Sequence, residues 1–580
     1  MSIVSISNGV GSSITRATLE ALAKQLKVGS IEAGDVEDYL TILRSFEAIL
    51  RSIDNAPDYT PPELRPCAST EPRTHRKPMV VDNPFNAWSH QCRISSSSPT
   101  SDLLKGRTVA VKDNVSVGGM PMTIGIPEPL FPNGAYPISS IDASVVSRIL
   151  AAGGIIMGTS TCESFCASPL SFTSASGPVH NPRLRGYTAG GSSSGSSVLV
   201  ASHALASPET TSPRSYGVTV EMAIGSDQAG SVRIPASYSG IYGLKPTFGL
   251  VPYTGAVSMS PMIDHLGPLG DTLEDVTALL EVMAGYDGFD PRMTPESPLR
   301  SQVKPYLRML QEIRERMSSE PLPGNKFRVG LLTESFTVAG VSEDVRVKVR
   351  RTAREFFEAA GASVAEISVP MHNEGPAIWT AATRPTMSSH LCQGNPSGHL
   401  SYLPAHSRIQ WPPSQEMLDT LTANNPAVVN IIFSELLARS IATGEGLEAK
   451  AHRKAFELRA AYDAALAGVD VLVTPCAPTV AMPHPDQEAV GGKMPPILKR
   501  LGVAIGVTSN TCPFNITGHP GLNVPCGFST DAGRPDVPLP IGMQIVGRRW
   551  ADEQVIAAAA LFERGRELAE RKADKAACEP

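Results

Sequence analysis

The sequence predicts an α/β layered fold built on a mixed β-sheet and preceded by a short helical segment. Two observations carry that prediction. Strand-like and helix-like runs alternate along the body of the chain, the pattern of layered α/β proteins. The 580 residues are 42% apolar and 18% charged, enough hydrophobic material for a large core and unlike the composition of a disordered chain. No internal repeat interrupts the alternation.

The elements follow in order. Ser13 stands where a cap would start a helix running to about Lys27, and Asp35 heads a second running to about Ile53, both with apolar residues at helical spacing. Prolines at 57, 61, 62, 66, 72 and 78 then read as a stiff connector. Residues 1–78 are therefore expected to form an N-terminal segment, 79–575 the body and 576–580 a tail. In the body, Val109–Lys112, Arg328–Leu332, Ala362–Val369, Val469–Thr474 and Ile541–Val546 read as strands. Ala143–Ala152, Glu343–Ala360, Leu447–Leu466 and Asp552–Glu570 read as helices. Two segments break the pattern. Ser202–Thr219, with Pro208 and Pro213, reads as a surface loop. His372–Asn425, polar and punctuated by prolines, carries Trp379, Tyr402 and Trp411 and reads as an irregular stretch of the kind that walls a pocket.

Composition narrows the function classes. The net charge of −6, without a dominant basic block, argues against a nucleic-acid partner. Nine scattered cysteines, an odd number, point to free thiols in a reducing compartment. Met1–Ser5 opens no signal-peptide pattern, and no uncharged apolar run reaches the roughly 18 residues of a membrane span. The tail Ala577-Cys578-Glu579-Pro580 carries neither a prenylation cysteine nor a peroxisomal address. A cytoplasmic protein with no membrane partner is the expectation.

The chemistry is concentrated between Gly190 and Thr247. Gly190-Gly191-Ser192-Ser193-Ser194-Gly195-Ser196-Ser197 and Gly225-Ser226-Asp227-Gln228-Ala229-Gly230-Ser231-Val232-Arg233-Ile234-Pro235 each set serines among small residues, and Gly243-Leu244-Lys245-Pro246-Thr247 follows. Upstream, Val109-Ala110-Val111-Lys112-Asp113-Asn114 ends a hydrophobic run on a lysine. Small residues let backbone approach a reacting group closely, and a serine hydroxyl can attack or relay a proton. A lysine acts as base only in its uncharged form, which burial favours. Together these parts suit acyl transfer.

Rival motifs fail. Ser231 lacks the Gly-x-Ser-x-Gly of a nucleophile elbow. Ser301-Gln302-Val303-Lys304 matches Ser-x-x-Lys without its companion motifs, and the loop 190–197 lacks the Gly-Lys ending of a phosphate loop. Cys162 and Cys166 have no zinc-ligand spacing and read as buried thiols, and His180 precedes the turn Asn181-Pro182 and reads as structural.

These motifs, with Gly158-Thr159-Ser160-Thr161-Cys162-Glu163, Val471-Leu472-Val473-Thr474-Pro475, Asn515-Ile516-Thr517-Gly518-His519-Pro520-Gly521 and Leu539–Gly547, resemble the amidase signature family from Asn86 to Glu553. The phrases Lys245–Ala256 and Ile263–Pro268 are most similar to its bacterial broad-range amidases linked to nitrile breakdown. The resemblance implies a large mixed sheet covered by helices on both faces. It implies Ser231 as nucleophile, Ser192 as a bridging serine beside a cis peptide, and Lys112 as the base acting through Ser192. The backbone N–H groups of Gln228, Ala229, Gly230 and Ser231 would form the oxyanion hole, each donor contributing roughly 3–4 kcal/mol in the transition state. Ser193 would support the relay or close a local turn, and Asp227 with Arg233 would be a buried pair holding the nucleophile turn. Lys245 is expected to support packing or a helix end.

The implied activity is hydrolysis of a small or medium, uncharged carboxamide without a metal or organic cofactor. Acyl transfer to another acceptor from the same acyl-enzyme, and an inactive scaffold, are the alternatives. The amidase component of a tRNA-dependent amidotransferase fits the long N-terminal segment less well. The N-terminal helices could make a homodimer, as in the resembled subgroup. The sequence departs from the family at Ala229 and Ser194, where glycine is usual, and in the 39 positions between Ser192 and Ser231, which Ser202–Thr219 lengthens.

Overall fold

The computed structural model describes residues 11–206, 215–395, 409–441, 446–485 and 495–578. The chain divides into two compact units, Met1–Pro62 and Glu63–Pro580.

In the first unit, helices Arg16–Gln25 and Val36–Asp54 bury Leu19, Val36 and Leu40 between them. Thr15, not Ser13, caps the first helix: its hydroxyl accepts from Thr18 N (3.3 Å) while Thr18 Oγ1 accepts from Thr15 N (3.2 Å). Ser13 instead donates to Glu47 Oε1 on the second helix (2.6 Å), which removes it from capping. The second helix starts after Asp35, as expected.

The unit boundary at Pro62 leaves residues 63–78, read as connector, within the body. Thr70 N donates to Ser95 O (3.0 Å), Arg76 and Gln91 exchange backbone hydrogen bonds (3.0 and 2.9 Å), and Arg73 pairs with Asp142 (2.7 Å). Prolines remove donors here without preventing the remaining residues from pairing.

The body is organised by one eleven-stranded mixed sheet: β1 (Trp88–Ser95), β2 (Thr108–Lys112), β3 (Ile155–Ser160), β4 (Met222–Ser226), β5 (Tyr242–Lys245), β6 (Leu266–Gly270), β7 (Arg328–Leu332), β8 (Ser363–Ile367), β9 (Val471–Pro475), β10 (Gly521–Asp531) and β11 (Arg534–Val546). Their spatial order is β1-β3-β2-β4-β6-β5-β10-β11-β9-β7-β8. β3, β2 and β4 run parallel, as do β9, β7 and β8, and the strands between these groups are antiparallel. All five expected strands are present, the last as the second half of β11. Of the expected helices, Ser144–Ala151, Glu343–Ala359 and Leu447–Gly468 match closely, and the last extends over Asp552–Cys578.

Side chains on a strand alternate between faces, and β2 and β4 show what each face covers. Val109, Val111, Met222 and Ile224 enter a large cluster with Val145, Ile149, Val276 and Leu279 from the helices Ser144–Ala151 and Leu273–Met283. Ala110 and Ala223 point the other way, onto Val198 and Ala201 of helix Ser194–Leu205. The sheet is therefore clothed by helices on both faces. Lys112, two residues after Ala110, continues the face that carries the Gly/Ser loop.

The segment read as irregular between His372 and Asn425 is mostly helical where described: Gly375–Thr383, Met387–Leu391 and Gln415–Asn424. Its polar composition hides apolar pairs at i, i+4, Ile378 with Ala382, Met387 with Leu391 and Met417 with Leu421, each buried in one cluster. Tyr402 lies outside the described residues, as does 207–214 of the expected surface loop, whose first residues end helix Ser194–Leu205.

Candidate active site

Lys112 ends β2 with its side chain fully buried beneath the Gly/Ser loop. Its Nζ donates to Ser192 Oγ (2.7 Å) and to Ser226 Oγ (2.8 Å), and Asn114 Nδ2 donates to Ser226 Oγ (3.2 Å). The Gly191–Ser192 peptide is cis. Ser192 lies just before the helix Ser194–Leu205, and Ser193 N donates to Ser231 O (3.2 Å), tying the two loops together. The hydroxyl of Ser193 donates to Ser226 O (3.2 Å) and so steadies the residue that Lys112 touches.

β4 runs into the second loop at Ser226, and helix Arg233–Ser239 leaves it. The turn between them is held from inside by Asp227, whose carboxylate accepts from Gly230 N (2.7 Å) and Val232 N (3.1 Å). Arg233 returns a two-pronged pair to the same carboxylate (2.9 and 2.8 Å), and both side chains are fully buried. Burial alone would raise the Asp227 pKa; the Arg233 guanidinium outweighs it and holds the carboxyl well below its usual range. The guanidinium is also fixed by Thr511 O (3.0 Å), Gln544 Oε1 (2.6 Å) and Asn515 Oδ1 (2.7 Å), so β11 and the helix Cys512–Thr517 with its capping Thr511 anchor the turn.

Gly230 has φ of +129°, and a Cβ there would lie 2.3 Å from Thr511 Oγ1 and 2.6 Å from Ile234 Cδ1. Gly230→Ala is expected to cost about 1–3 kcal/mol of stability from backbone strain alone, and to reduce activity by displacing Thr511, whose hydroxyl donates to Ala229 O (2.5 Å). Thermal unfolding and turnover of the variant check both. Because Gly230 N donates to Asp227, it is not free for an oxyanion, which corrects its place among the expected donors. Ala229 lies outside the left-handed region, so its methyl carries no strain. Ser194, the other departure from glycine, donates to Glu163 Oε1 (2.9 Å). Burial pushes the Glu163 carboxyl up to about 7, although Thr173 N (2.7 Å) and Thr173 Oγ1 (2.6 Å) also donate to it.

Ser231 keeps 6% of its surface while Ser192 and Lys112 keep none, and it lines a cavity of about 210 Å³. Gln228, Ala229, Cys166, Met259, Met387 and Ile431 share that lining. Trp379, on helix Gly375–Thr383, donates its indole N–H to Gln228 O (2.9 Å) and brings the segment after His372 to the pocket. Trp379→Phe removes one hydrogen bond of roughly 0.5–1.5 kcal/mol and is expected to lower kcat/KM about two- to tenfold, as read by steady-state kinetics.

Sequence reasoning quoted Ser226 and Asn114 within motifs without giving them a role, because only the pairing of β2 with β4 sets them against Lys112. Of the other candidates, Lys304, His180, Lys245 and Cys162 are not among the residues lining the Ser231 cavity, whereas Cys166 is. Lys304 of the Ser-x-x-Lys match pairs with Glu553 (2.6 Å). His180 bridges to Thr188 and stacks near His484. Buried Lys245 donates to Pro246 O (3.1 Å) and to His265 (3.3 Å), and burial pushes its ammonium well below the usual range. Cys162 and Cys166 are buried free thiols. Among the described residues, no group of three or more His, Cys, Asp or Glu could hold a metal ion, and no helix is long and apolar enough to cross a membrane.

Known proteins resemble this chain over most of its length. The model of the amidase family matches residues 86–556. The chain is 33% identical to an enantioselective amidase of Rhodococcus rhodochrous over 85% of each chain. It is 30% identical to a glutamyl-tRNA(Gln) amidotransferase component of Methanosarcina barkeri, covering 79% of this chain and 84% of the relative. The fold is similar to that of the peptide amidase of Stenotrophomonas maltophilia, with a TM-score of 0.58, 24% identity, and coverage of 80% of this chain and 83% of that one. With the family matched across most of the chain and its motifs gathered around one buried lysine, the protein is a member of the amidase signature family and an amide hydrolase.

Proposed function

We propose that the protein cleaves a carboxamide to a carboxylate and ammonia or an amine through an acyl-enzyme on Ser231. Ser231 Oγ attacks the amide carbonyl as its proton passes to Ser192 Oγ and the Ser192 proton passes to Lys112 Nζ. Collapse of the tetrahedral intermediate breaks the C–N bond, and the proton held by Lys112 returns through Ser192 to the leaving nitrogen. Water then attacks the ester by the same route in reverse, releasing the acid and restoring the Ser231 hydroxyl. The N–H groups of Gln228, Ala229 and Ser231 are the donors assigned to the oxyanion.

The observation that carries this reading is the contact of Lys112 Nζ with Ser192 Oγ (2.7 Å), on a loop hydrogen-bonded to the pocket-lining Ser231. No step requires a metal. The test is ammonia release from a panel of carboxamides by the wild type and by Ser231→Ala, with fluorophosphonate labelling of Ser231. Release that disappears in the variant, with labelling of Ser231, supports the reading. A folded wild type that releases no ammonia and leaves the fluorophosphonate unreacted overturns it. Hydroxamate formed at the expense of free acid when hydroxylamine is added would show that the acyl group prefers an acceptor other than water.

A further inference from the structure

Arg384 is an anomaly in a pocket otherwise lined by apolar and neutral polar groups. It follows helix Gly375–Thr383 as the C-terminal cap, its N–H donating to Thr380 O (3.0 Å), and it is among the residues lining the cavity that Ser231 also lines. Its Nε and Nη1 are shielded from water and make no hydrogen bond among the described residues. The buried acid beneath the same segment, Glu435, is already saturated. It accepts from Ser388 and Ser389 and pairs with Arg439 (2.7 Å). Burial lowers the Arg384 pKa from its ordinary value with no carboxylate offsetting it. Among the described residues, Arg384 is the one Arg, Lys, Asp or Glu lining the cavity.

A half-buried cation without a counter-charge destabilises the free protein where lost hydration is not replaced by protein groups. A ligand that brings a carboxylate into the cavity supplies both the missing acceptors and the missing charge, and guanidinium is shaped to take a carboxylate through two parallel bonds. The cavity of about 210 Å³ has room for a short acyl chain between such a carboxylate and an amide at Ser231. The segment that carries Arg384 is also clamped to the nucleophile turn by Trp379, which fixes the spacing between the two ends of the substrate.

We infer that Arg384 is a specificity-determining residue and that the preferred substrates are carboxamides whose acyl part bears a carboxylate, the monoamides of short dicarboxylic acids being the simplest class. This rests on the Ser231 acyl-enzyme reading and replaces the uncharged amide expected from the sequence.

The test compares 4-carbamoylbutanoate with pentanamide, its neutral counterpart of similar length, in the wild type, Arg384→Lys and Arg384→Met. The wild type is expected to favour the acid amide in kcat/KM by about ten- to a hundredfold, the range of one charge-assisted pair. Arg384→Met should abolish that ratio, mainly through KM, and Arg384→Lys should retain part of it. Because the free protein loses an unpaired charge, Arg384→Met should also unfold at the same or a higher temperature than the wild type, an outcome a merely structural arginine would not give. Equal turnover of the two amides by the wild type, or an acid-to-neutral ratio untouched by Arg384→Met, overturns the inference while leaving the acyl-enzyme reading intact. If neither amide is turned over, calorimetric binding of 4-carbamoylbutanoate and pentanamide to Ser231→Ala decides separately. Tighter binding of the acid amide that is lost on adding Arg384→Met supports the inference, and equal or absent binding sinks it.

Discussion

Ser231→Ala is expected to lower kcat by about 10⁶-fold, the size of loss found when the nucleophile of a serine hydrolase is removed. Lys112→Ala and Ser192→Ala are expected to fall nearly as far, and combining any two should add little. In the proposed relay the three groups form one proton path, so breaking it once would remove most of what the path supplies. The residual rate reflects the oxyanion donors and substrate binding, which these substitutions leave in place. Lys112 is fully buried against Ser192 and Ser226, its Nζ donating to both hydroxyls. Single-turnover kinetics on the three single and three double variants provide the check. Additive losses would mean that the residues act independently and would sink the relay.

The second large effect concerns stability. Arg233→Met leaves the Asp227 carboxylate buried without its cation, and breaking such a pair costs about 3–5 kcal/mol. The pH dependence follows from the direction of the shift. In the wild type Asp227 lies well below its unfolded pKa of about 3.9, because Arg233 overcomes the burial that would raise it. Its contribution to stability is therefore fully present above that unfolded value and is lost as pH falls through the folded one. In Arg233→Met burial dominates, the folded pKa moves upward, and the sign reverses. The stability gap between the two proteins is expected to be widest near neutrality and to close as the medium becomes acidic. Denaturant unfolding across that range measures it, and parallel curves would contradict the assigned role of the pair. Activity should fall as well, since Asp227 shapes the turn through Gly230 N and Val232 N.

How much of this was legible in the sequence depended on whether the cause was local. β7 and the helix Glu343–Ala359 were readable because a β-branched or apolar run and a periodic amphipathic pattern are signals carried by the segment itself. β4, β5, β6 and β10 were not among the expected strands, since Met222–Ser226, Tyr242–Lys245, Leu266–Gly270 and Gly521–Asp531 contain glycine, proline or lysine, which weaken a local strand signal. They are strands because each has neighbours on both sides in the sheet, which satisfy backbone groups the local sequence does not. The helices after His372 were hidden for a related reason: each is short and offers few apolar positions, too little to stand out before the cluster it joins is known.

The sequence by itself determined the layered α/β class and the small-residue loops, and its resemblance to the amidase signature family singled out Lys112, Ser192, Ser231, Asp227 and Arg233 as candidates. Tertiary structure decided what surrounds them. It set Ser226 and Asn114 against Lys112 through the parallel pairing of β2 with β4. It took Gly230 N for Asp227, drew Trp379 onto Gln228 from 151 positions away, and left Arg384 in the pocket without a partner among the described residues. Each of these depends on which distant segments meet, and a sheet whose strand order departs from chain order brings together residues that no local pattern relates.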